Sequence, residues 1–211
     1  MRGTGALLAA SLSVVLLASC GGDGNGATED DTDTIALAEH AGETSGPADI
    51  TEGKGWGPRI VDDERGTLVK KVGQWAALGG DDEVIAAFRV TEIEPDLRCT
   101  GEEAQDPVNG RFVGLRFEVE ASPSLGESGS MATFNLHPEQ FTAVLPDGAT
   151  QGRLLGEARA CLPRDAYLPD AVTAGSRETG MLVLDVPEDT EAVVLEGRPF
   201  GSVGGWEWAL P

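Results

Sequence analysis

The 211-residue sequence predicts an all-β protein whose folded part is an antiparallel β-sandwich. Three observations support this fold class. Apolar and polar residues alternate in several short segments, Gly, Pro and Asp separate these segments, and no long segment shows the periodicity of an amphipathic helix. The alternating segments lie within residues 67–211, a length that is sufficient for one domain with an apolar core.

The clearest predicted strand covers residues 111–120, RFVGLRFEVE, in which Val113, Leu115, Phe117 and Val119 share one face. A strand with one apolar and one polar face packs against a core on one side only. Six or seven such strands, joined by turns, are typical of a sandwich. The same alternation predicts further strands at residues 83–93, 140–145, 179–186, 192–195 and 206–210.

Two tryptophans, Trp206 and Trp208, alternate with other residues in the last predicted strand, and Leu210 continues the pattern. An exposed aromatic stripe can bind sugars, whereas inward-facing tryptophans fill a core. Aromatic residues make up only 5% of the chain, so few others are available to build a core. We therefore favour the core interpretation.

The first 19 residues have the pattern of a secretory signal peptide. Arg2 supplies a positive charge, residues 6–18 form an uncharged apolar run, and small residues precede Cys20. The run is shorter than the roughly 20 apolar residues that cross the hydrocarbon of a bilayer. It therefore predicts a targeting segment and not a transmembrane helix.

The end of this segment, Leu17-Ala18-Ser19-Cys20, resembles the lipobox of bacterial lipoproteins. In that class of protein the cysteine sulfur carries a diacylglyceryl group, with acyl chains such as palmitate, and cleavage makes the cysteine the new N-terminus. The resemblance implies lipid attachment at Cys20 and an extracytoplasmic protein anchored to the membrane, since two or more acyl chains hold stably. The alternative is an ordinary secreted protein with a cysteine near its cleavage site.

The segment after Cys20 is acidic. Residues 21–66 contain 12 Asp and Glu against 3 Lys and Arg, with many Gly and Thr and few apolar residues. Such a segment buries too little apolar surface to offset its ordering entropy. We predict a disordered linker over residues 20–66, followed by the sandwich domain over residues 67–211. The patterns GGDGNG and DDTD in this linker lack further residues that calcium loops require.

The net charge of the chain bounds its partners. The formal charge is −21, and loss of residues 1–19 removes only Arg2 and makes it −22. An acidic surface repels the phosphates of nucleic acid, so we expect no nucleic-acid partner. An acidic surface also lacks the clustered Lys and Arg that bind anionic lipid, so we expect membrane attachment to depend on the lipid on Cys20. Candidate partners are another cell-surface protein or a cell-wall component.

Three cysteines occur in the sequence. If Cys20 carries the lipid, Cys99 and Cys161 remain in a compartment that favours oxidation, and we predict a disulfide between them. A bridge that closes a loop of about 60 residues stabilises a domain by roughly 4 kcal/mol in the chain-entropy model. The alternatives are a metal site or a redox pair, but redox pairs are usually Cys-x-x-Cys and zinc needs two more ligands.

Three segments together resemble a known family. They are NGRFV at the start of one predicted strand, QFTAVLPDG at residues 140–148, and VTAGSRETGMLVLDVP at residues 172–187, where Ala174, Gly175 and Gly180 lead into an apolar strand. They resemble the immunoglobulin-like domain of unknown function found in actinobacterial lipoproteins, and the chain is similar to a small secreted mycobacterial immunogenic protein over residues 83–210. The resemblance implies an extracellular immunoglobulin-like sandwich of undetermined role, and it supplies no catalytic residues.

Few residues suggest chemistry. His137 precedes Pro138 in a predicted loop, and the Ser-containing stretch Gly126–Ser130 lacks the last Gly of a Gly-x-Ser-x-Gly nucleophile elbow. Met131 with His137 could form a soft-metal site, although the chain has only three Met, one of them the initiator. We therefore predict no enzyme activity, no cofactor and no metal-ligating residues.

The sequence thus favours a membrane-anchored cell-surface lipoprotein that acts as a non-catalytic binding or interaction module, with the ligand unspecified. The alternative hypothesis is a metal- or solute-binding lipoprotein that serves a transporter. A third is a cell-wall hydrolase, in which His137 or a carboxylate would be essential.

Overall fold

Ten β-strands carry the regular structure in a computed structural model of the chain, which describes residues 53–79, 84–127, 132–198 and 204–211. Short 3₁₀ turns lie at Pro138–Gln140, Ala158–Ala160 and Arg164–Ala166. The predicted signal peptide, the lipid site Cys20 and the two acidic patterns lie outside the described residues. The strands are β1 Ile60–Val61, β2 Leu68–Val69, β3 Trp75–Gly79, β4 Val84–Glu94, β5 Gly110–Ala121, β6 Phe141–Val144, β7 Thr150–Gln151, β8 Arg177–Pro187, β9 Ala192–Glu196 and β10 Gly205–Ala209.

The strands form two sheets that pack face to face. One sheet has the order β3-β4-β5-β8, and the other has the order β1-β2-β10-β9-β6-β7. Within the described residues the strand pairs are antiparallel except β2 with β10, where Trp206 pairs with Leu68 in parallel. The predicted fold class, an all-β sandwich of two sheets, is confirmed. Strands β3, β4 and β5 lie side by side in one sheet, which differs from the strand order of antibody domains.

The core lies between the inner faces of the two sheets. On β5, the four residues predicted to share a face, Val113, Leu115, Phe117 and Val119, are all fully buried. A period of two in the sequence places alternate side chains on the same face of a strand, and this is why the prediction succeeds. The six strands predicted from alternation correspond to β4, β5, β6, β8, β9 and β10.

The two tryptophans of β10 fill the centre of this core. Trp206 is 4% exposed and meets the ring of Phe88 edge-on, with 5.0 Å between centroids. Trp208 is fully buried and meets Phe117 edge-on at 6.1 Å. Both pairs join β10 to the opposite sheet in the geometry that aromatic rings prefer. The core interpretation of these tryptophans is therefore confirmed.

The prediction of a disordered linker is wrong for residues 53–66, which we call the strap. Its strand β1 pairs with β2, and the carbonyl of Gly55 accepts a hydrogen bond from the Trp75 amide at 3.0 Å. The Lys54 ammonium lies 3.8 Å from the centroid of the Trp75 ring and 2.5 Å from the Glu120 carboxylate. The composition of this segment suggested disorder because the segment is rich in charged residues. The strap is nevertheless ordered, because two of its cations form specific ion pairs with the sandwich.

The second of these cations is Arg65. Its Nε and Nη2 donate to the two carboxylate oxygens of Glu207 at 2.9 Å each, and the Thr67 hydroxyl donates to the same carboxylate at 2.7 Å. Glu207 lies on β10 and is only 7% exposed, so its charge needs these partners. The hydrogen bonds with Glu207 raise the pKa of the Arg65 guanidinium above its usual value.

We expect the substitution Arg65→Met to lower the free energy of unfolding by about 2 kcal/mol, because it leaves the carboxylate of Glu207 buried without its guanidinium. Urea denaturation followed by tryptophan fluorescence measures this loss. The matched control is Arg59→Met, since Arg59 is exposed and forms no ion pair with any described residue. Equal stability of the two variants would show that the strap does not depend on this pair.

Candidate ligand-binding pocket

The outer face of the sheet β3-β4-β5-β8 has a polar half. Arg89 donates to Glu118 through Nε at 2.8 Å and through Nη2 at 2.5 Å. Glu120, 7% exposed, is flanked by Lys54 of the strap on one carboxylate oxygen and by Arg177 on the other, each at 2.5 Å. The sequence predicted Glu118 and Glu120 on this outward face, and the strap covers the second of them.

The other half of this face is apolar and is covered by a loop, residues 152–176, between β7 and β8. Phe112 of β5 and Val183 of β8 project outward and contact Ala158 and Cys161 of the loop, and all four residues are buried. Strand β8 is therefore buried on both faces, because Leu182 and its inner neighbours already belong to the main core.

The two cysteines of the predicted disulfide hold this loop in place. The Cys99 and Cys161 sulfur atoms lie 2.07 Å apart, at bonding distance, and the bridge spans 62 residues. The backbone amides of Thr100 and Gly101 donate to the Cys161 carbonyl at 2.7 and 2.9 Å. Gly101 allows this approach, since a Cβ there would lie 2.2 Å from the carbonyl oxygen of Ala160.

Asp185 ties the beginning of the loop to β8. Its carboxylate is fully buried and accepts the backbone amides of Val108 and Asn109, each at 2.8 Å, while its own amide donates to Leu154 at 2.8 Å. Buried carboxylates are stable only when hydrogen bonds replace their water. Gly156 passes directly over the carboxylate, and a Cβ there would lie 1.9 Å from it.

Tyr167 ties the end of the loop. Its hydroxyl donates to the Ala158 carbonyl at 2.5 Å and accepts the Leu162 amide at 2.9 Å. The next residue, Leu168, donates its amide to the Met181 carbonyl at 2.9 Å. Gly180, part of the motif that resembles the lipoprotein family, is required here because a Cβ would lie 2.3 Å from the Leu168 nitrogen.

A cavity of about 550 Å³ remains between this loop, β8 and the 3₁₀ turn after His137. We call it the loop pocket. Its volume lies within the range of small-molecule sites, which combine an apolar floor with a few polar groups. The floor includes Leu136, Leu162, Leu168 and Met181, and the charged or titratable residues at its mouth are His137, Arg159, Arg164, Asp165 and Asp170.

One contact orients the mouth of the loop pocket. The Arg159 Nη2 lies 2.5 Å from the His137 Nε2. A guanidinium only donates, so the His137 Nε2 is the acceptor of this contact. The His137 Nδ1 faces Glu139, whose backbone nitrogen lies at 3.4 Å and whose carboxylate oxygen lies at 3.5 Å. The contact leaves the remaining N–H groups of Arg159 available to a ligand.

The structure places the sequence-predicted candidates as follows. His137 lies at the mouth of the loop pocket, where its imidazole contacts Arg159 and Glu139 and, among the residues that the structure describes, no serine hydroxyl. Met131, its proposed metal partner, lies outside the described residues. No group of three or more His, Cys, Asp or Glu side chains within ranges 53–79, 84–127, 132–198 and 204–211 is arranged to hold a metal ion.

A second, more polar cavity of about 370 Å³ lies on the outer face of the other sheet, beside Arg65, Thr142, Val194 and Glu196. The Thr142 hydroxyl donates to Glu196 at 3.1 Å, and Arg65 is committed to Glu207. The side chains of Arg65, Thr142 and Glu196 are thus already partnered. In the part of the chain that the structure describes, no helix has the length and apolar character needed to cross a membrane.

Tyr167 is the one tyrosine in the sequence, and it lines the loop pocket, so its ionisation reports on the loop. Burial raises the pKa of the Tyr167 phenol above its usual value of about 10. The neutral phenol therefore contributes its full stabilisation below the unfolded-state pKa of about 10. This stabilisation is lost as the pH rises through the higher pKa of the folded state. We expect phenolate absorbance to develop at higher pH in the folded protein than in urea.

The variant Tyr167→Phe checks the linkage. Burial lowers the pKa of Lys70, which contributes to alkaline stability with the opposite sign, so the difference between the two proteins is the quantity to compare. We expect this difference in unfolding free energy to shrink as pH rises above 10. A phenol that titrates at the same pH in the folded and unfolded chain would contradict the burial of Tyr167.

Comparison with known proteins finds no matching family model and no matching curated protein. Two solved structures are similar. One is MPT63, a secreted protein from Mycobacterium tuberculosis, with a TM-score of 0.45 and 16% identity over 68% of this chain and 98% of that one. The other is ycdA of Bacillus subtilis, a candidate lipoprotein, with a TM-score of 0.35 and 12% identity over 60% of this chain and 36% of that one. At these values the comparisons describe a likeness of fold.

Proposed function

We propose that this chain is an extracytoplasmic lipoprotein of the actinobacterial type whose sandwich is a non-catalytic binding module, with the loop pocket as its ligand site. The observation that carries the proposal is the loop pocket itself, about 550 Å³ of space with an apolar floor and a charged mouth. Pockets of this size and character are where proteins bind small molecules. A solute-binding lipoprotein that serves a transporter would use the same pocket.

The frame of the loop pocket is pre-organised, which supports a role in binding. The loop is held by the disulfide to Cys99 and by two backbone hydrogen bonds to β8, from the Asp185 amide to Leu154 and from the Leu168 amide to Met181, and these attachments are independent of any ligand. A site that is already ordered loses little entropy when a ligand enters, so more of the contact energy appears as affinity.

The arrangement of polar groups favours binding over catalysis. A general base must lie within hydrogen-bond reach of a nucleophile or of a substrate proton that it abstracts. At the mouth of the loop pocket, His137 already accepts from Arg159 and faces Glu139. Its lone pair is thus committed to a guanidinium, which suits a positioning role.

The proposed location rests on the lipobox-like Cys20 and on the Cys99–Cys161 pair, since disulfides persist in oxidising compartments. Residues 21–52 separate Cys20 from the strap, a length of chain that could reach up to about 100 Å when fully extended. Lipid at Cys20 would then hold the sandwich at the membrane while leaving the loop pocket clear of it.

We expect the substitution Cys20→Ala to move the protein from the membrane fraction to the soluble fraction, because it removes the sulfur that would carry the lipid. Fractionation of cells and mass spectrometry of the N-terminal peptide measure this change. The matched control, Ser19→Ala, keeps a small residue before the cysteine and should remain in the membrane. A Cys20→Ala protein that stays equally membrane-bound would refute the anchor.

We expect the folded protein to bind a neutral apolar dye such as Nile red saturably in the loop pocket. The substitution Leu162→Trp places a larger side chain in the cavity and should weaken dye binding at least about tenfold. The control Val108→Trp enlarges an apolar residue that is 70% exposed and does not line the cavity. Fluorescence titration that gives equal affinities for the two variants would remove the loop pocket as the ligand site.

A further inference from the structure

Charged side chains on the outer faces of the sandwich neutralise one another. Lys54 and Arg177 flank Glu120, Arg89 pairs with Glu118, and the strap brings Arg65 to a buried carboxylate of β10. In each case a carboxylate that is at most 14% exposed lies within 2.9 Å of a cation. The carboxylates that are largely removed from water on these faces are therefore paired with cations.

The charged residues at the mouth of the loop pocket are exposed and, like the exposed Arg59, are not held in ion pairs. Arg159, Arg164, Asp165 and Asp170 all line the cavity, and none of them forms an ion pair with any described residue. Arg164 and Asp165 are neighbours in one 3₁₀ turn, and adjacent residues on a helical turn point in different directions. The loop pocket thus presents two cations and two anions, of which Arg159 is oriented by His137, and none is neutralised by a described residue of opposite charge.

The net charge of the chain decides which ligand suits this mouth. A purely anionic ligand meets the repulsive field of a protein with a formal charge of −21 and the two aspartates beside the arginines. A purely cationic ligand meets Arg159 and Arg164 at the mouth. A zwitterion satisfies both sets, because its carboxylate can accept from a guanidinium while its ammonium donates to an aspartate.

The apolar floor of the loop pocket indicates that the ligand also has an apolar part. Leu136, Leu162, Leu168 and Met181 present apolar surface beneath the charged mouth. Burial of apolar groups against such a floor supplies affinity, while the charged groups set orientation. A ligand with charge alone would leave this floor uncovered.

We propose that the loop pocket binds small zwitterions with an apolar body, of which a short apolar peptide with both ends free is the simplest. This inference rests on the proposed function, since it assumes that the loop pocket is the ligand site. Arg159, oriented by His137, and Arg164 hold the carboxylate, and Asp165 and Asp170 hold the ammonium.

The experiment uses the dipeptide leucyl-leucine in four forms with one apolar body: both ends free, N-acetylated, C-amidated, and blocked at both ends. Calorimetry on the full chain measures each affinity. We expect the free dipeptide to bind at least about fivefold more tightly than either singly blocked form, the change that one partly exposed ion pair contributes. The doubly blocked form should bind most weakly.

Variants assign the two charges of the ligand. The double variant Arg159→Gln/Arg164→Gln should lose the preference for a free carboxylate and keep that for a free ammonium. The double variant Asp165→Asn/Asp170→Asn should show the reverse. The controls Arg98→Gln and Glu103→Gln remove one charge of each sign from exposed residues that do not line the cavity, and should leave both preferences intact.

The outcomes separate the inference from the proposed function. If the doubly blocked or the N-acetylated dipeptide binds as tightly as the free one, zwitterion recognition is refuted and the loop pocket remains a binding site. Zwitterion recognition is also refuted if no dipeptide binds while Nile red binds the unsubstituted protein and binds the Leu162→Trp variant more weakly. If neither the dye nor any dipeptide binds, the proposed function fails together with the inference.

Discussion

The second half of strand β8 is buried on both faces, and much of the architecture follows from the need to shield both faces from water. From Met181 to Val186 every residue is buried, so neither side of the strand can face water. The inner side packs into the core of the sandwich. The outer side needs a separate cover, and loop 152–176 provides it without adding a strand or a long helix.

An irregular cover must be tied down at several points, because its backbone cannot rely on a ladder of hydrogen bonds. Here the attachments are few: the covalent bridge between Cys161 and Cys99, and the backbone hydrogen bonds from Asp185 to Leu154 and from Leu168 to Met181. Such a cover meets the sheet at its attachment points and leaves space between them. The loop pocket is that space, which makes it a consequence of how β8 is buried.

The strands could be predicted from the sequence better than the strap and loop 152–176 could, for a physical reason. Alternation is a local property, so β5 and the tryptophans of β10 could be recognised from a few residues each. The strap and the loop pocket depend on contacts between distant residues, such as Arg65 with Glu207 across 142 positions, and no local pattern encodes them. One signal was present in the sequence: the apolar run MLVL, residues 181–184, indicates a strand that is covered on both faces. Nothing comparable marked Arg159 or Arg164.

The cover also couples the loop pocket to the redox state of its surroundings. In the chain-entropy model, a bridge across 62 residues contributes about 4 kcal/mol, a large part of the stability of a domain of this size. A reduced chain would keep the hydrogen bonds of loop 152–176, but the wall that carries Arg159 would lose its covalent attachment to Cys99. The loop pocket is therefore most completely formed where the disulfide persists, which is in an oxidising compartment.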